Sequence, residues 1–484
     1  MKNRNRILIY FVTGIFLFTS CKKSYLDVAP ESYIDSDQLG SSPSATMGSL
    51  KGIFAGLRSY GITGYAGHED YGHKSILSVI DLMGNDVVML NPNWNMYNYN
   101  YTGRVATNAR SHMPWFTYYT QIKNANTIVN SIDENTADSE LKAIRGQGLA
   151  LRAYLHFMLA RIYGPTYIGH ENDLSIPINT GTVTPTRQKV VDVYAQIISD
   201  LEQAVTALEG YSRPNRELID QSVAQAYLAQ VYLEVGKYAE AAEMAHNARS
   251  GYALLTESGW KNGFYDITQN ETMWGADLNA ELTSFVANFF SHFDNTNTGY
   301  AEGGNVAIDK RLYEAMSPTD YRRSMFLGAE EGDFEGTTYA PYMSFKFRDL
   351  TSDRTQGDYI YLRSAEMYYI EAEGLARSGN EAGAQSVLYE ITKERDPEYV
   401  KSTKSGAALI DEIILQKRIE MWGEGSAWFD LKRLNKGVER NYSGTNHGSF
   451  ALLNIPAGDA RFLFMIPEAE VNANPQILPN NPEK

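Results

Sequence analysis

The sequence predicts a mostly helical chain in which helical hairpins are interrupted by long irregular loops of the kind that usually carry function. Three observations lead there. Three separated segments repeat one design: an alanine- and tyrosine-rich helix, a closing glycine, then a second helix. Two long stretches, about 60–114 and 251–357, replace helical periodicity with glycine, asparagine and aromatic residues. The single cysteine in 484 residues rules out an intrachain disulfide, so stability must come from a large core.

The chain begins with Lys2, Arg4 and Arg6. An apolar run from Ile7 to Phe18, broken only by Thr13 and Gly14, comes next, then the small Thr19 and Ser20. This is the layout of a secretory signal peptide. The run falls short of the roughly 20 apolar residues that span a bilayer. Directly behind it, "FTSC" resembles the lipobox of bacterial lipoproteins, with Phe18 where leucine is commoner. The expectation is removal of residues 1–20, a single mature domain over 21–484, and acyl chains on Cys21 that anchor the protein to a membrane.

Residues 22–43 are polar and turn-rich, an extended lead-in. "SLKGIFAGLRSY" then places Leu50, Phe54 and Leu57 on one helical stripe, and "YYTQIKNANTIVNSI" does so with Tyr118, Ile122, Ala125, Val129 and Ile132. The repeated design occupies about 115–250 and 358–435. In "AQAYLAQVYLEVGKYAEAAEMAHNA", Ala229, Tyr232, Gly236, Ala241, Ala245 and Ala248 fall on the small and aromatic positions of a tetratricopeptide repeat. Ala372, Leu375, Gly379, Ala384 and Leu388 keep that spacing in the third copy. In the first, "LRAYLHFMLARIYG", the partner helix is delayed by a proline-rich insertion from Pro165 to Pro185.

With 43 basic and 58 acidic residues the net charge is −15, and no basic cluster is suited to following a phosphate backbone, so nucleic acid is not an expected partner. There is no HExxH, no G-x-S-x-G elbow and no P-loop, and no cysteine is left for nucleophilic work; the chain reads as a binder, not an enzyme, with no cofactor. A glycoside hydrolase would need two carboxylates facing each other across a cleft, a distance that sequence does not give. "GHEDYGH" gathers His68, Glu69, Asp70 and His73, but histidines five apart do not share a helical face, which favours hydrogen-bonding roles over zinc. "DNTNTG", Asp294 to Gly299, imitates the start of a calcium loop, yet position twelve is Asn305 instead of a bidentate glutamate. No metal is expected. The charges and aromatics of "MWGEGSAWFDLKR" (Trp422, Trp428, Phe429, Asp430, Lys432, Arg433) read as a packed helix-loop junction, and Trp274 reads as core.

The most binding-like stretch is "NPNWNMYNYNYTG". Trp94, Tyr97, Tyr99 and Tyr101 alternate with Asn93, Asn95, Asn98 and Asn100. Sugar rings present C–H faces that stack on aromatic planes, and asparagine amides both donate to and accept from hydroxyls. Trp94, Tyr97 and Asn98 are the candidates here, with Trp94 expected to be exposed because asparagines flank it; Asp70 and His73 are candidates in the neighbouring loop.

Four segments in order, "LRAYLHFMLARIYG", "YLRSAEMYYIEAEGLARSGN", "ILQKRIEMWGEGSAWFDLKR" and the closing "IPEAEVNANPQILPNNP", resemble the signatures of the SusD/RagB family of outer-membrane nutrient-binding lipoproteins. The resemblance implies a mostly α fold with tetratricopeptide-type hairpins and a loop-rich ligand-binding half. It implies a surface-exposed, lipid-anchored protein of the outer membrane that hands glycans or peptides to a TonB-dependent, SusC-like porin, although "CKKS" lacks the acidic residues that often mark surface export. It also implies ligand contacts from the loop "FFSHFDNTNTGYAEGG", through His292, Phe293 and Tyr300. A tetratricopeptide scaffold for peptides or proteins is the other reading; it would bind in the concave groove of the helices instead of on the aromatic loops.

Overall fold

The computed structural model describes residues 39–483 except 62, 64–66, 94, 182–185, 298, 301–304 and 452–453. The signal segment, Cys21 and Trp94 therefore lie outside the described residues. The first helix, Pro43–Arg58, starts with a proline behind the Ser42 side-chain cap and buries Leu50, Ile53, Phe54 and Leu57 on one stripe. The next long helix, Ala109–Ser131, buries Tyr118, Ile122, Ala125 and Val129 as their spacing predicts.

Three helical hairpins form the body of the molecule. The first pairs Ser139–Tyr163 with Val190–Ala207, the second Gln221–Glu234 with Tyr238–Arg249, and the third Ser364–Arg377 with Glu381–Arg395. The first helices of the first two hairpins start on Asp138 and Asp220, and the second helix of the third on Asn380; each side chain accepts backbone N–H groups of the first turn. The second and third hairpins turn on Gly236 and Gly379, at φ +80° and +91°. There the next amide closes the turn by donating back across it, from Lys237 to the Tyr232 carbonyl at 2.9 Å and from Asn380 to the Leu375 carbonyl at 2.8 Å. Between the paired helices Ala229, Ala241, Ala245, Ala248, Ala372 and Ala384 are fully buried, which lets the backbones approach closely.

The loop-rich half is more ordered than its composition suggests. Within 60–114, where no helical period is legible, a helix runs from His73 to Leu82. All ten of its residues are buried, so it has no polar face to produce an amphipathic pattern. The helix expected from about 115 begins at Ala109, and Pro114 sits inside its early turns. Antiparallel pairs tie distant segments together: Val87–Met89 with Val306–Ile308, and Thr272–Ala276 with Tyr359–Arg363. Trp274, on the second pair, is fully buried against Tyr154, Tyr227 and Tyr361, as its apolar context predicts.

The closing segment wraps back onto the first hairpin. Asn480 exchanges hydrogen bonds with both backbone groups of Ile466, and the Asn481 amide donates to the carbonyls of Tyr163 and Phe464 at 2.5 and 2.7 Å. The asparagines of "LPNNP" thus act as a backbone clasp. No helix among the described residues is long and apolar enough to cross a membrane.

Candidate functional site

Three segments that are far apart in sequence meet at one surface: 67–73, 95–110 and 288–300. The short helix Met96–Tyr99 buries Asn98 and Tyr99 and leaves Tyr97 44% exposed. The Arg110 guanidinium lies 4.9 Å from the Tyr97 ring centre, a cation over an aromatic face. Arg110 Nη2 in turn donates to Glu69 Oε1 at 2.9 Å. Beside Glu69, the exposed His68 ring lies 5.3 Å from Tyr300. Tyr300 lies 5.1 Å from His292, which stacks on Tyr71 at 5.4 Å. The result is a nearly continuous run of rings and one ion pair across all three loops.

Close approaches fix this geometry. A Cβ on Gly67 would fall 2.2 Å from Glu69 Oε2, and one on Gly103 would fall 2.9 Å from Arg110 Cδ. A side chain at either position would displace one partner of the charged pair from where it now sits. The Asn108 side chain accepts from the Arg110 amide at 3.0 Å and starts the helix that carries the arginine.

Several expected ligand contacts are instead internal supports. His73 is fully buried; Nδ1 and Nε2 are each 2.9 Å from a phenol, of Tyr118 and Tyr154 respectively. Burial pushes its imidazole down to about 3, so it is neutral. Phe293 is 1% exposed and stacks on Phe289, 4.9 Å away, so it belongs to the core. Asn98 is 1% exposed. Asp70 is buried, with its carboxyl pushed up by burial against the opposing pull of Thr63, whose hydroxyl donates to it at 2.7 Å. His292, lowered to about 4 by burial, donates from Nε2 to the His68 carbonyl at 3.2 Å and holds that loop in place. All five shape the loops from beneath; of the described candidates, Tyr97 and Tyr300 face outward or partly so.

Arg110 was not legible as a site residue, since the ring it covers lies thirteen positions earlier and no motif links the two. His68 and Glu69 were visible only as a loose histidine-acid group. Among the described residues no set of three His, Cys, Asp or Glu side chains is placed to hold a metal ion. At "DNTNTG", Asp294 Oδ1 accepts from Thr296 N and Oγ1, and Oδ2 accepts from the Asp349 amide and Arg354, so this carboxylate is spent on a turn. Trp422, Trp428 and Phe429 are buried, as a packed junction requires.

A sizeable concavity lies elsewhere. A groove of about 890 Å³ opens between the helices Gly406–Glu420 and Ala427–Arg433 and the turn of the second hairpin, lined by Ile168, Tyr238, Ile410, Ile414, Leu431 and Arg418 among others. None of the aromatic-loop residues lines it.

Residues 25–233 match a family model described as "Starch-binding associating with outer membrane", and residues 276–483 match that of the SusD family. SusD-like protein P2 of Formosa agariphila is 27% identical over 416 residues, covering 76% of this chain and 79% of that protein. A SusD-like protein of Bacteroides ovatus is 24% identical over 88% of this chain and 81% of its own length. A SusD-like carbohydrate binding protein from Bacteroides vulgatus shares the fold, with a TM-score of 0.79 at 24% identity over 90% of this chain and 97% of that one. Surface glycan-binding protein A from Bacteroides fluxus matches with a TM-score of 0.67 at 17% identity over 92% of this chain and 100% of that one. With both halves of the sequence matched in order and the helical hairpins in place, the chain belongs to the SusD/RagB family.

Proposed function

We propose that this protein captures a glycan on its aromatic loops at the outer membrane and delivers it to a SusC-like, TonB-dependent porin, held there by lipid on Cys21. The observation that carries the reading is the run Tyr97, Arg110, Glu69, His68, Tyr300: rings for sugar C–H faces beside a charged donor and acceptor for hydroxyls. Family membership adds weight, as do the solved relatives described as carbohydrate- and glycan-binding proteins. The role is binding, not catalysis. Calorimetric titration with oligosaccharides tests it: saturable binding to the intact protein, weakened up to about tenfold in Tyr97→Ala and in Tyr300→Ala, is expected.

The groove of about 890 Å³ favours a second role for the helical side, as a surface for a protein or peptide. Its half-buried isoleucines and leucines, rimmed by charged residues, suit a polypeptide partner better than a sugar. In the delivery reading that partner is the porin. Copurification from native membranes in mild detergent should recover the porin, and a Cys21→Ala variant should leave the membrane fraction once the porin is deleted.

A further inference from the structure

The charged pair at the centre of the aromatic run bears on which glycans the site admits, an inference that rests on reading the run as a glycan site. Arg110 and Glu69 are mostly withdrawn from solvent, with side chains 11% and 24% exposed. They pair directly, Arg110 Nη2 donating to Glu69 Oε1 at 2.9 Å, in space that the missing side chains of Gly67 and Gly103 leave open. The cation beneath the ligand surface is thus already neutralised by a mostly buried carboxylate 2.9 Å away. Paired in this way, the two groups offer a donor and an acceptor side by side with no net charge. Sugar hydroxyls both donate and accept, so adjacent hydroxyls on one ring match such a pair. A uronate or a sulfate ester only accepts; it would have to approach Glu69 at close range and compete with it for the guanidinium. The chain's net charge of −15 adds a long-range field of the same sign.

We propose that Glu69 is the specificity residue of this site: by neutralising Arg110 beneath the ligand surface, it admits uncharged glycans and rejects those carrying uronate or sulfate groups. Tyr97 and Tyr300 supply stacking that any pyranose can use; Glu69 sets the charge class.

The test is titration of the intact protein against neutral polysaccharides (α-glucan, β-glucan, mannan, galactan) and against polyuronate and sulfated galactan at matched ionic strength. The expected result is binding to at least one neutral polymer and at least tenfold weaker binding to every anionic one. In Glu69→Gln that gap should shrink at least tenfold, because the guanidinium becomes available to anions. A thermal melt checks that this variant folds, and if it does not, the wild-type panel alone decides. Tight binding of polyuronate or sulfated galactan that is weakened in Tyr97→Ala would overturn the charge-class assignment while leaving the glycan site standing. Affinity unchanged in both Tyr97→Ala and Tyr300→Ala, or no binding across the panel, would overturn the site itself and this inference with it.

Discussion

The hairpin of Gln221–Glu234 and Tyr238–Arg249 buries Ala224, Ala226, Ala229, Ala241, Ala245 and Ala248 alongside Tyr227, Leu228 and Val231; where the helix Gly406–Glu420 meets the loop half, three guanidinium groups converge on one carboxylate. Glu420 accepts from Arg322, Arg363 and Arg395 at 2.9, 3.0 and 3.1 Å, and from the Trp260 indole at 3.0 Å. Glu271 takes further bonds from Arg363 and Arg395, and Glu424 pairs with Arg363 and Lys346. Burial opposes ionisation of Glu420, yet the arginines hold its carboxyl well below the usual range. The seam of the second hairpin thus includes many small residues at helical spacing, whereas the dry ionic hub ties the loop-half residues Glu271, Arg322 and Lys346 to Arg363, Arg395 and Glu420 at the ends of the strand Tyr359–Arg363 and of the helices Glu381–Arg395 and Gly406–Glu420. The difference shows how loop segments without helical period can be held to the helices by buried charge pairs.

This contrast breaks most visibly at the hub. Glu420→Gln leaves three buried guanidinium groups around a neutral amide, and removing one partner of a buried ionic cluster costs about 3–5 kcal/mol. The urea midpoint should fall accordingly with an unchanged slope. A loss under ~1 kcal/mol would mean that Glu271 and Glu424 suffice and that the hub is not what fixes the loops.

On the helical side the counterpart is steric. A Cβ on Gly374 would fall 2.5 Å from the Tyr238 carbonyl oxygen and 3.0 Å from the Ala242 amide. Gly374→Ala should force the second and third hairpins apart and cost about 1–3 kcal/mol, although alanine is the better helix former. A stabilised variant would show that these hairpins can slide without penalty.

Acid distinguishes the ionic contacts from the apolar ones. Asp430 is buried, which opposes ionisation, but Lys417 at 3.0 Å and Arg433 at 2.7 Å hold its carboxyl down at about 2, from an ordinary 3.8. Because the folded value lies below the unfolded one, this stabilisation is full above about pH 4 and drains away as pH falls towards 2. A tenfold change in proton affinity between the folded and unfolded chains is worth about 1.4 kcal/mol, so the carboxylate contributes ~2 kcal/mol. Unfolding measured from about pH 5 to about pH 2 should lose that much less in Asp430→Asn than in the wild type.

What was legible in the sequence follows the same divide. Ala229, Gly236, Ala372 and Gly379 announced the hairpins because helix packing is local and periodic. The helix His73–Leu82 was hidden because it is buried on every side, and the hub was hidden because Glu271 and Arg363 lie 92 residues apart. At the candidate site, "GHEDYGH", "NPNWNMYNYNYTG" and "FFSHFDNTNTGY" were each singled out, and they do meet. Which of their side chains face outward depends on tertiary burial, so His73 and Phe293 turned out to be core, while Arg110, which bridges two of the loops, carried no local signal.

The smallest effect on stability should come from the exposed end of the loop half. Tyr97 is 44% exposed, so Tyr97→Ala forfeits little buried area; its loss should stay within about 1 kcal/mol, mainly the cation–π contact with Arg110. If the ring instead stacks on sugar, the same substitution removes a contact worth about 0.5–1.5 kcal/mol, up to roughly a tenfold loss of affinity. Tyr300→Ala should behave likewise in binding but cost more in folding, since its ring is half-buried against His68 and His292. A melt and a titration on the same two variants therefore set binding against folding. Affinity lost at both positions with Tyr97→Ala melting like the wild type would place ligand contact at the outer edge of a surface made rigid from below. A large drop in melting temperature for Tyr97→Ala would instead make that tyrosine part of the scaffold, and the contrast between a rigid hub and an exposed binding edge would not hold at this position.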